Sequence, residues 1–344
     1  MNTIFCPSYH ALFFALYLKY QNKEEISIIT YNESVRAFCK EAKIKCHFFK
    51  LPELGLGFST LFSNIYKLQK LKKNIKQLLK SLDIKKDTPF FFLDSYIAYA
   101  GFYLAKIWAK QGKVFYQKSD EKLNKFSSKS KYSLLYILRS KLYFHTLRLV
   151  LGIKIVLYDG WGAKLVPGID SAFLKHHHIQ PIKLGKSINE LRSEAVHYRI
   201  PNIASYGKCE NLLISSYPPI LASVTEESLV KLYKELREIP FSMRVKAHPI
   251  VSGTEEGSKK FKELMGTDDI LPHHIPVELL LNSVQKNVIA VCSMALVAAA
   301  EIKGLKAIAL LELIDWKAQE RKDNFKALLQ EKSNNKIIFV KDFE

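Results

Sequence analysis

The chain has 344 residues, 48% of them hydrophobic and 25% charged, enough to fill about two domain cores. Lysine and arginine number 52 against 33 acidic residues, a net charge of +19, which attracts polyanions: nucleic acid, an anionic membrane face, or an acidic or phosphorylated substrate. The five cysteines have no Cys-x-x-Cys spacing and no apolar run reaches bilayer length, which argues against a disulfide framework, a zinc knuckle and a membrane-spanning helix.

In chain order, Ile4-Phe5 leads into Pro7-Ser8-Tyr9-His10. A helix is expected over 11–20 and a short strand over 26–30. Residues 61–82 read as a basic amphipathic helix, 89–93 as a buried strand, about 97–110 as a helix closed by Gly112, and 113–116 as the next strand. This alternation predicts parallel strands with covering helices. The polar stretch 120–131 reads as a mobile loop. Residues 134–150 follow as an apolar helix carrying Arg139, Lys141 and Arg148, either a core helix or a surface lying on anionic lipid. A strand over 153–157 closes on Tyr158-Asp159-Gly160-Trp161-Gly162.

After Pro201 the pattern restarts. Strands are expected at 211–216, at a run ending at His248, at 288–291 and at 305–311, with helices over 226–238 and 316–331. The expected organisation is a Rossmann-like domain over 1–204, a second over 205–325, and a tail over 326–344. The start, Met1 to Pro7, has no signal-peptide pattern, so the expected location is the cytoplasm.

Lys246-Ala247-His248-Pro249 places a cation, an imidazole and a chain-breaking proline after an apolar-alternating run. Proline disfavours the helical region for the residue before it, so His248 is expected in an extended, loop-facing conformation at a strand end, where ligands bind in open α/β sheets. Ser215, ending the strand before it, joins it as a candidate on the same edge. Gly160 and Gly162 permit a tight turn exposing Asp159 as a base. Cys292-Ser293-Met294 opens a small-residue helix whose N-terminus favours a phosphate, with Ser293 as the expected N-cap. Ser8, Tyr9 and His10 either line an acceptor side or cap the next helix. Three adjacent histidines, His176 to His178, cannot all face one ion and read as a basic solvated loop.

The order Asp-Gly, Lys-x-His-Pro, Ile275-Pro276-Val277-Glu278, then a serine turn before a small-residue helix resembles the bacterial sialyltransferases of GT-B fold, the lipooligosaccharide sialyltransferase and polysialyltransferase type. The resemblance spans scattered motifs over 158–294. It implies two Rossmann-like domains facing each other across a cleft, the first accepting and the second holding the nucleotide sugar. It implies Asp159 as the base that deprotonates an acceptor hydroxyl, with Gly160 beside it. His248 would donate to the departing CMP phosphate, Ser293 would hold that phosphate, and Glu278 would bind the ribose hydroxyls. Lys246 would support the field, with Ser215, Pro249 and Cys292 on the donor side.

Two departures stand out. Tyr158 precedes Asp159 where the family often has a second acid, so no carboxylate neighbour raises the base's pKa. Cys292 replaces the family's first serine, removing a phosphate donor worth roughly 1.5–3 kcal/mol. There is no Asp-x-Asp element, so no metal or other cofactor is expected.

The function implied is inverting transfer of sialic acid or a related nonulosonic acid from a CMP-sugar to a bacterial surface glycan or lipid-linked oligosaccharide. The charge suits peripheral contact with an anionic inner membrane. An alternative is a CDP-glycerol or CDP-polyol enzyme of teichoic-acid type, which usually carries Asp in its serine motif. A basic nucleic-acid-binding protein is a further alternative, but no binding module or stacking platform is found, so no nucleic-acid partner is expected.

Overall fold

The computed structural model describes residues 1–55, 58–82, 87–93, 99–117, 133–153, 155–159, 165–169, 171–182, 186–215, 223–239, 242–248, 255–267 and 269–342. The chain divides into two compact units, Met1–Ser187 and Ile188–Glu344. The division falls earlier than the expected boundary after 204. Helices α7 (Ile188–Ala195) and α8 (Pro201–Ala204) belong to the second unit, where Arg192 of α7 forms an ion pair with Glu278.

The first unit contains a six-stranded parallel sheet made of β1 (Asn2–Phe5), β2 (Ile26–Thr30), β3 (Lys45–Phe48), β4 (Pro89–Leu93), β5 (Lys113–Gln117) and β8 (Gln180–Pro181). Their order is β3-β2-β1-β4-β5-β8. All five residues of β2 are buried, as a parallel strand covered on both faces requires. The covering helices include α1 (Tyr9–Leu16), α2 (Glu33–Glu41), α3 (Leu61–Ser81) and α4 (Tyr99–Trp108). Instead of running on to residue 20, α1 gives way to a π-turn in which the Asn22 N–H donates to the Tyr17 carbonyl at 3.2 Å.

The core of this unit is aromatic. Phe90 stacks on Trp108 with centroids 4.8 Å apart, and Phe92 meets Phe102 edge-on at 5.2 Å. Gly101 lets α4 approach the sheet, since a Cβ there would stand 2.4 Å from the Phe92 ring and 2.5 Å from that of Phe5.

The helix expected over 134–150 is α5 (Leu134–Leu151), ended by Gly152 at φ 63°. One face of it joins the core through Leu147 and Leu151, with Ser140 and Thr146 also buried, while Leu134, Leu135, Leu138 and Leu149 are exposed on the other. It packs along α3.

The strand expected over 153–157 lies outside the large sheet. β6 (Ile155–Asp159) pairs with β7 (Leu165–Ile169) in a two-stranded antiparallel hairpin, Asp159 opposite Leu165. The edge of the large sheet is supplied instead by β8, which follows α6 (Ser171–His176). The segment expected as a loop over 120–131 lies outside the described residues.

The second unit holds a five-stranded parallel sheet of β9 (Cys209–Ile214), β10 (Met243–Lys246), β11 (Val284–Ala290), β12 (Lys306–Ala309) and β13 (Ile338–Phe339), ordered β10-β9-β11-β12-β13. Its helices include α9 (Glu226–Glu238), α10 (Glu255–Met265), α11 (Ala295–Ala300) and α12 (Gln319–Lys332). Thr225 caps α9 by accepting the Ser228 N–H at 3.4 Å, with Glu226 and Glu227 in the first turn. Residues 326–342 are no detached tail: they finish α12 and supply β13, whose Ile338 and Phe339 register with Ile308 and Ala309.

Candidate functional site

The chain leaves β9 for β10 on one side and returns to β11 on the other. β9 therefore marks the switch point of the second sheet, and the crevice at the carboxyl ends of its strands is where an open α/β sheet takes ligands. Three sequence-derived candidates meet on that edge: Ser215 just after β9, Lys246 and His248 at the end of β10, and Cys292-Ser293 beyond β11.

Ser215 ties two strand ends together. Its backbone N–H donates to the Lys246 carbonyl at 3.0 Å, and its buried hydroxyl accepts the His248 N–H at 2.9 Å. The loop that leaves β10 is thus held at its first extended residue, and His248 is half-buried there. Pro249 lies outside the described residues.

Lys246 is 2% exposed. Its ammonium donates to the carbonyls of Ala247 at 3.1 Å and His273 at 3.3 Å. Burial pushes it down to about 7, against the opposing pull of Glu278. Burial, then the nearby charges of Lys246 and Arg192, push the His248 imidazole down to about 4. His248 is therefore neutral at pH 7, and it presents a ring N–H as a donor rather than a cation.

Glu278 sits in a 3-10 turn, Val277–Leu279, after Pro276. Its side chain is 3% exposed and Arg192 Nε donates to Oε1. A carboxylate has further lone pairs, so one oxygen engaged by Arg192 leaves capacity for a ligand hydroxyl. Cys292 is buried, and burial pushes its thiol up to about 12. It stands at the site as a neutral thiol.

The Ser293 hydroxyl accepts the Ala295 N–H at 3.3 Å. Ser293 is not the N-cap that was expected. That position falls to Met294, which makes no side-chain cap bond, because the helical backbone begins one residue later than the small-residue run suggests.

Arg192 and His273 are the charged and polar neighbours that sequence reasoning missed. Arg192 lies 86 positions from Glu278, and nothing local marks it. His273-His274 does carry a signal, two imidazoles shortly before Ile275-Pro276, and the rings stand nearly perpendicular with centroids 5.7 Å apart.

The remaining candidates lie in the first unit. Ser8, Tyr9 and His10 follow β1, which has β2 on one side and β4 on the other and so marks the first sheet's switch point. Ser8 occupies the N-cap of α1 with extended backbone, φ −152°, yet makes no side-chain cap bond, and its buried Oγ has no hydrogen-bond partner. Asp159 ends β6 in the hairpin, and Gly160 lies outside the described residues. His176 and His177 stack edge-on at 4.8 Å. Among the described residues no group of three or more His, Cys, Asp or Glu is placed to hold a metal ion.

No protein-family model matches the chain. No curated protein matches it either. Solved structures do. The UDP-GlcNAc 2-epimerase of Neisseria meningitidis bound to UDP-GlcNAc is 13% identical, with 99% of this chain and 94% of that chain covered and a TM-score of 0.48. The UDP-GlcNAc 2-epimerase of Methanocaldococcus jannaschii in complex with UDP-GlcNAc and UDP is 13% identical over 100% of this chain and 94% of that one, with a TM-score of 0.44. A glycosyltransferase of Rickettsia africae is 12% identical over 97% and 91%, with a TM-score of 0.38. The chain itself is an α/β protein with two Rossmann-like parallel sheets, one in each unit, as its alternating elements predict; this is the fold class that the resemblance to GT-B proteins implies.

Proposed function

We propose that this chain is a nucleotide-sugar-using enzyme of the GT-B class, and within it an inverting glycosyltransferase. The proposed reaction moves sialic acid or a related nonulosonic acid from CMP to a hydroxyl of a glycan or lipid-linked oligosaccharide. The observation that carries this reading is the tie from Ser215 to His248 at the switch point of the second sheet. It holds the His248 backbone at the carboxyl end of β10, on the same sheet edge as the Cys292-Ser293 end of β11 with β9 between them, and the resemblance reserves that edge for a departing CMP phosphate.

In the proposed reaction Asp159 takes the proton of the acceptor hydroxyl as the oxygen attacks the anomeric carbon, and the bond from that carbon to the CMP phosphate oxygen breaks. His248 donates its ring N–H to that phosphate, which takes the bonding pair and leaves as a monophosphate, so it develops less charge than a departing diphosphate. Lys246, whose buried ammonium donates to the carbonyls of Ala247 and His273, supplies positive field at the strand ends. Glu278 accepts from the ribose hydroxyls through lone pairs that Arg192 leaves open.

The test is a panel of CMP-sugars, following CMP release with and without glycan acceptors. Acceptor-dependent release from a CMP-nonulosonate is the expected result. No CMP release from any donor, or interconversion of a UDP-sugar instead, overturns the finer reading.

A further inference from the structure

The two helices that pack along each other on the first unit, α3 and α5, share a property that the proposed chemistry does not use. α3 carries six lysines and α5 carries Arg139, Lys141 and Arg148, and neither helix contains a single Asp or Glu. A solvated helix face ordinarily mixes charge signs. Nine cations on two helices that carry no acid, most of them exposed, mark a surface suited to an anionic partner.

The same faces expose large apolar side chains. Phe62 and Tyr66, spaced i and i+4, are 83% and 68% exposed, and Lys73, Lys76 and Lys80 continue the stripe that they begin on α3. On α5, Leu138 and Leu149 fall on the outer stripe, Leu149 being 72% exposed, with Lys141 and Arg148 along one flank and Arg139 along the other. The buried residues of α3, among them Leu68, Leu71 and Ile75, hold the opposite side against the core. An exposed leucine and aromatic stripe edged by Lys and Arg is the pattern of a helix lying in a bilayer interface, apolar side chains among the acyl chains and ammonium groups at the phosphates.

We propose that the outer faces of α3 and α5 form a docking surface for an anionic lipid bilayer. Lipid is favoured over other polyanions because the exposed side chains are leucines, a phenylalanine and a tyrosine set among the cations. Nucleic acid would use the cations and leave the leucines in water. The proposal is independent of the sugar-transfer chemistry, and no catalytic candidate lies on either helix. Among the described residues no helix is long and apolar enough to cross a membrane, so contact through these two helices is interfacial.

The test is co-sedimentation of the full chain with vesicles of phosphatidylcholine alone or mixed equally with phosphatidylglycerol, at about 0.1 M salt. Binding to the anionic vesicles only is expected. Lys73→Ala, Lys76→Ala and Lys80→Ala together should lower partitioning roughly 10²-fold. Phe62→Ser with Leu138→Ser and Leu149→Ser, which leave the charge unchanged, should lower it roughly tenfold or more. A Leu149→Trp reporter in the otherwise intact chain should be quenched by brominated acyl chains. The proposal is overturned if anionic vesicles fail to bind, if the apolar variant binds like the parent, or if the reporter is not quenched. Equal capture of a short RNA by the parent and the apolar variant assigns the cations to nucleic acid. Concentration-dependent dimerisation lost in the apolar variant assigns the face to a second copy of the chain.

Discussion

The two parallel sheets share a plan and differ in what they bury. Each is entered at a central strand with neighbours added on both sides, so each has a switch point, at β1 and at β9. Beneath the first lies an aromatic core in which Phe5, Phe90, Phe92 and Trp108 are fully covered. Beneath the carboxyl edge of the second, Lys246 and Glu278 are each 2% exposed and Arg192 is paired to the carboxylate. Buried charge is costly unless it is paired and hydrogen-bonded. A shared plan thus carries packing in one unit and a desolvated, hydrogen-bonded set of charges in the other.

The sharpest way to break this contrast is at the carboxyl edge of the second sheet. His248→Ala should lower CMP release by ~10²–10⁴-fold while the fold persists. Asp159→Ala should do the same if the hairpin supplies the base. A wild-type rate there would leave the first unit without its proposed catalytic role.

Glu278→Gln leaves Arg192 and Lys246 without their carboxylate and should cost about 3 kcal/mol in urea unfolding. The pH dependence follows from the same field. His248 is pushed down to about 4 in the folded chain from an ordinary 6.5, so the unfolded chain binds more protons between those values. Stability therefore rises with pH across that window and is lost as pH falls from 6.5 toward 4, by up to about 3 kcal/mol. His248→Asn should flatten this part of the thermal unfolding profile. Lys246 acts in the same sense between about 7 and its ordinary 10.5, where the folded chain holds fewer protons.

In the aromatic unit the response should be steric and indifferent to pH. Gly101→Ala drives a methyl into the Phe92 and Phe5 rings and should cost about 1–3 kcal/mol, offset in part by the better helix propensity of alanine. The smallest effect is expected from Ser215→Ala. It removes one hydrogen bond to the His248 N–H, about 1 kcal/mol of stability, and should lower turnover more than binding if that bond positions the imidazole.

Local pattern made much of the fold legible. β2 was readable as a short run rich in β-branched residues, α3 from its buried Leu68, Leu71, Ile75 and Leu79 at helical spacing, and α9 from Thr225 followed by two glutamates. Pairing was not legible. Ile155–Asp159 reads the same whether it joins a parallel sheet or a hairpin, and its partner Leu165–Ile169 contains Pro167 and Gly168, residues that argue against a strand interior. The candidate residues at the strand ends of the second unit stand out in the sequence because a proline or a small-residue helix follows them. Arg192 was not, since an ion pair bridging distant sequence positions leaves no periodic trace.

Burial leaves Lys246 titrating near neutrality, so an anion arriving at the strand ends should draw a proton onto it from the solvent. In a calorimeter the observed heat would then shift with the ionisation enthalpy of the buffer, and phosphate and Tris would report different enthalpies for one binding event. The strand end would act as a proton acceptor coupled to occupancy, its affinity for anions weakening as the medium becomes alkaline.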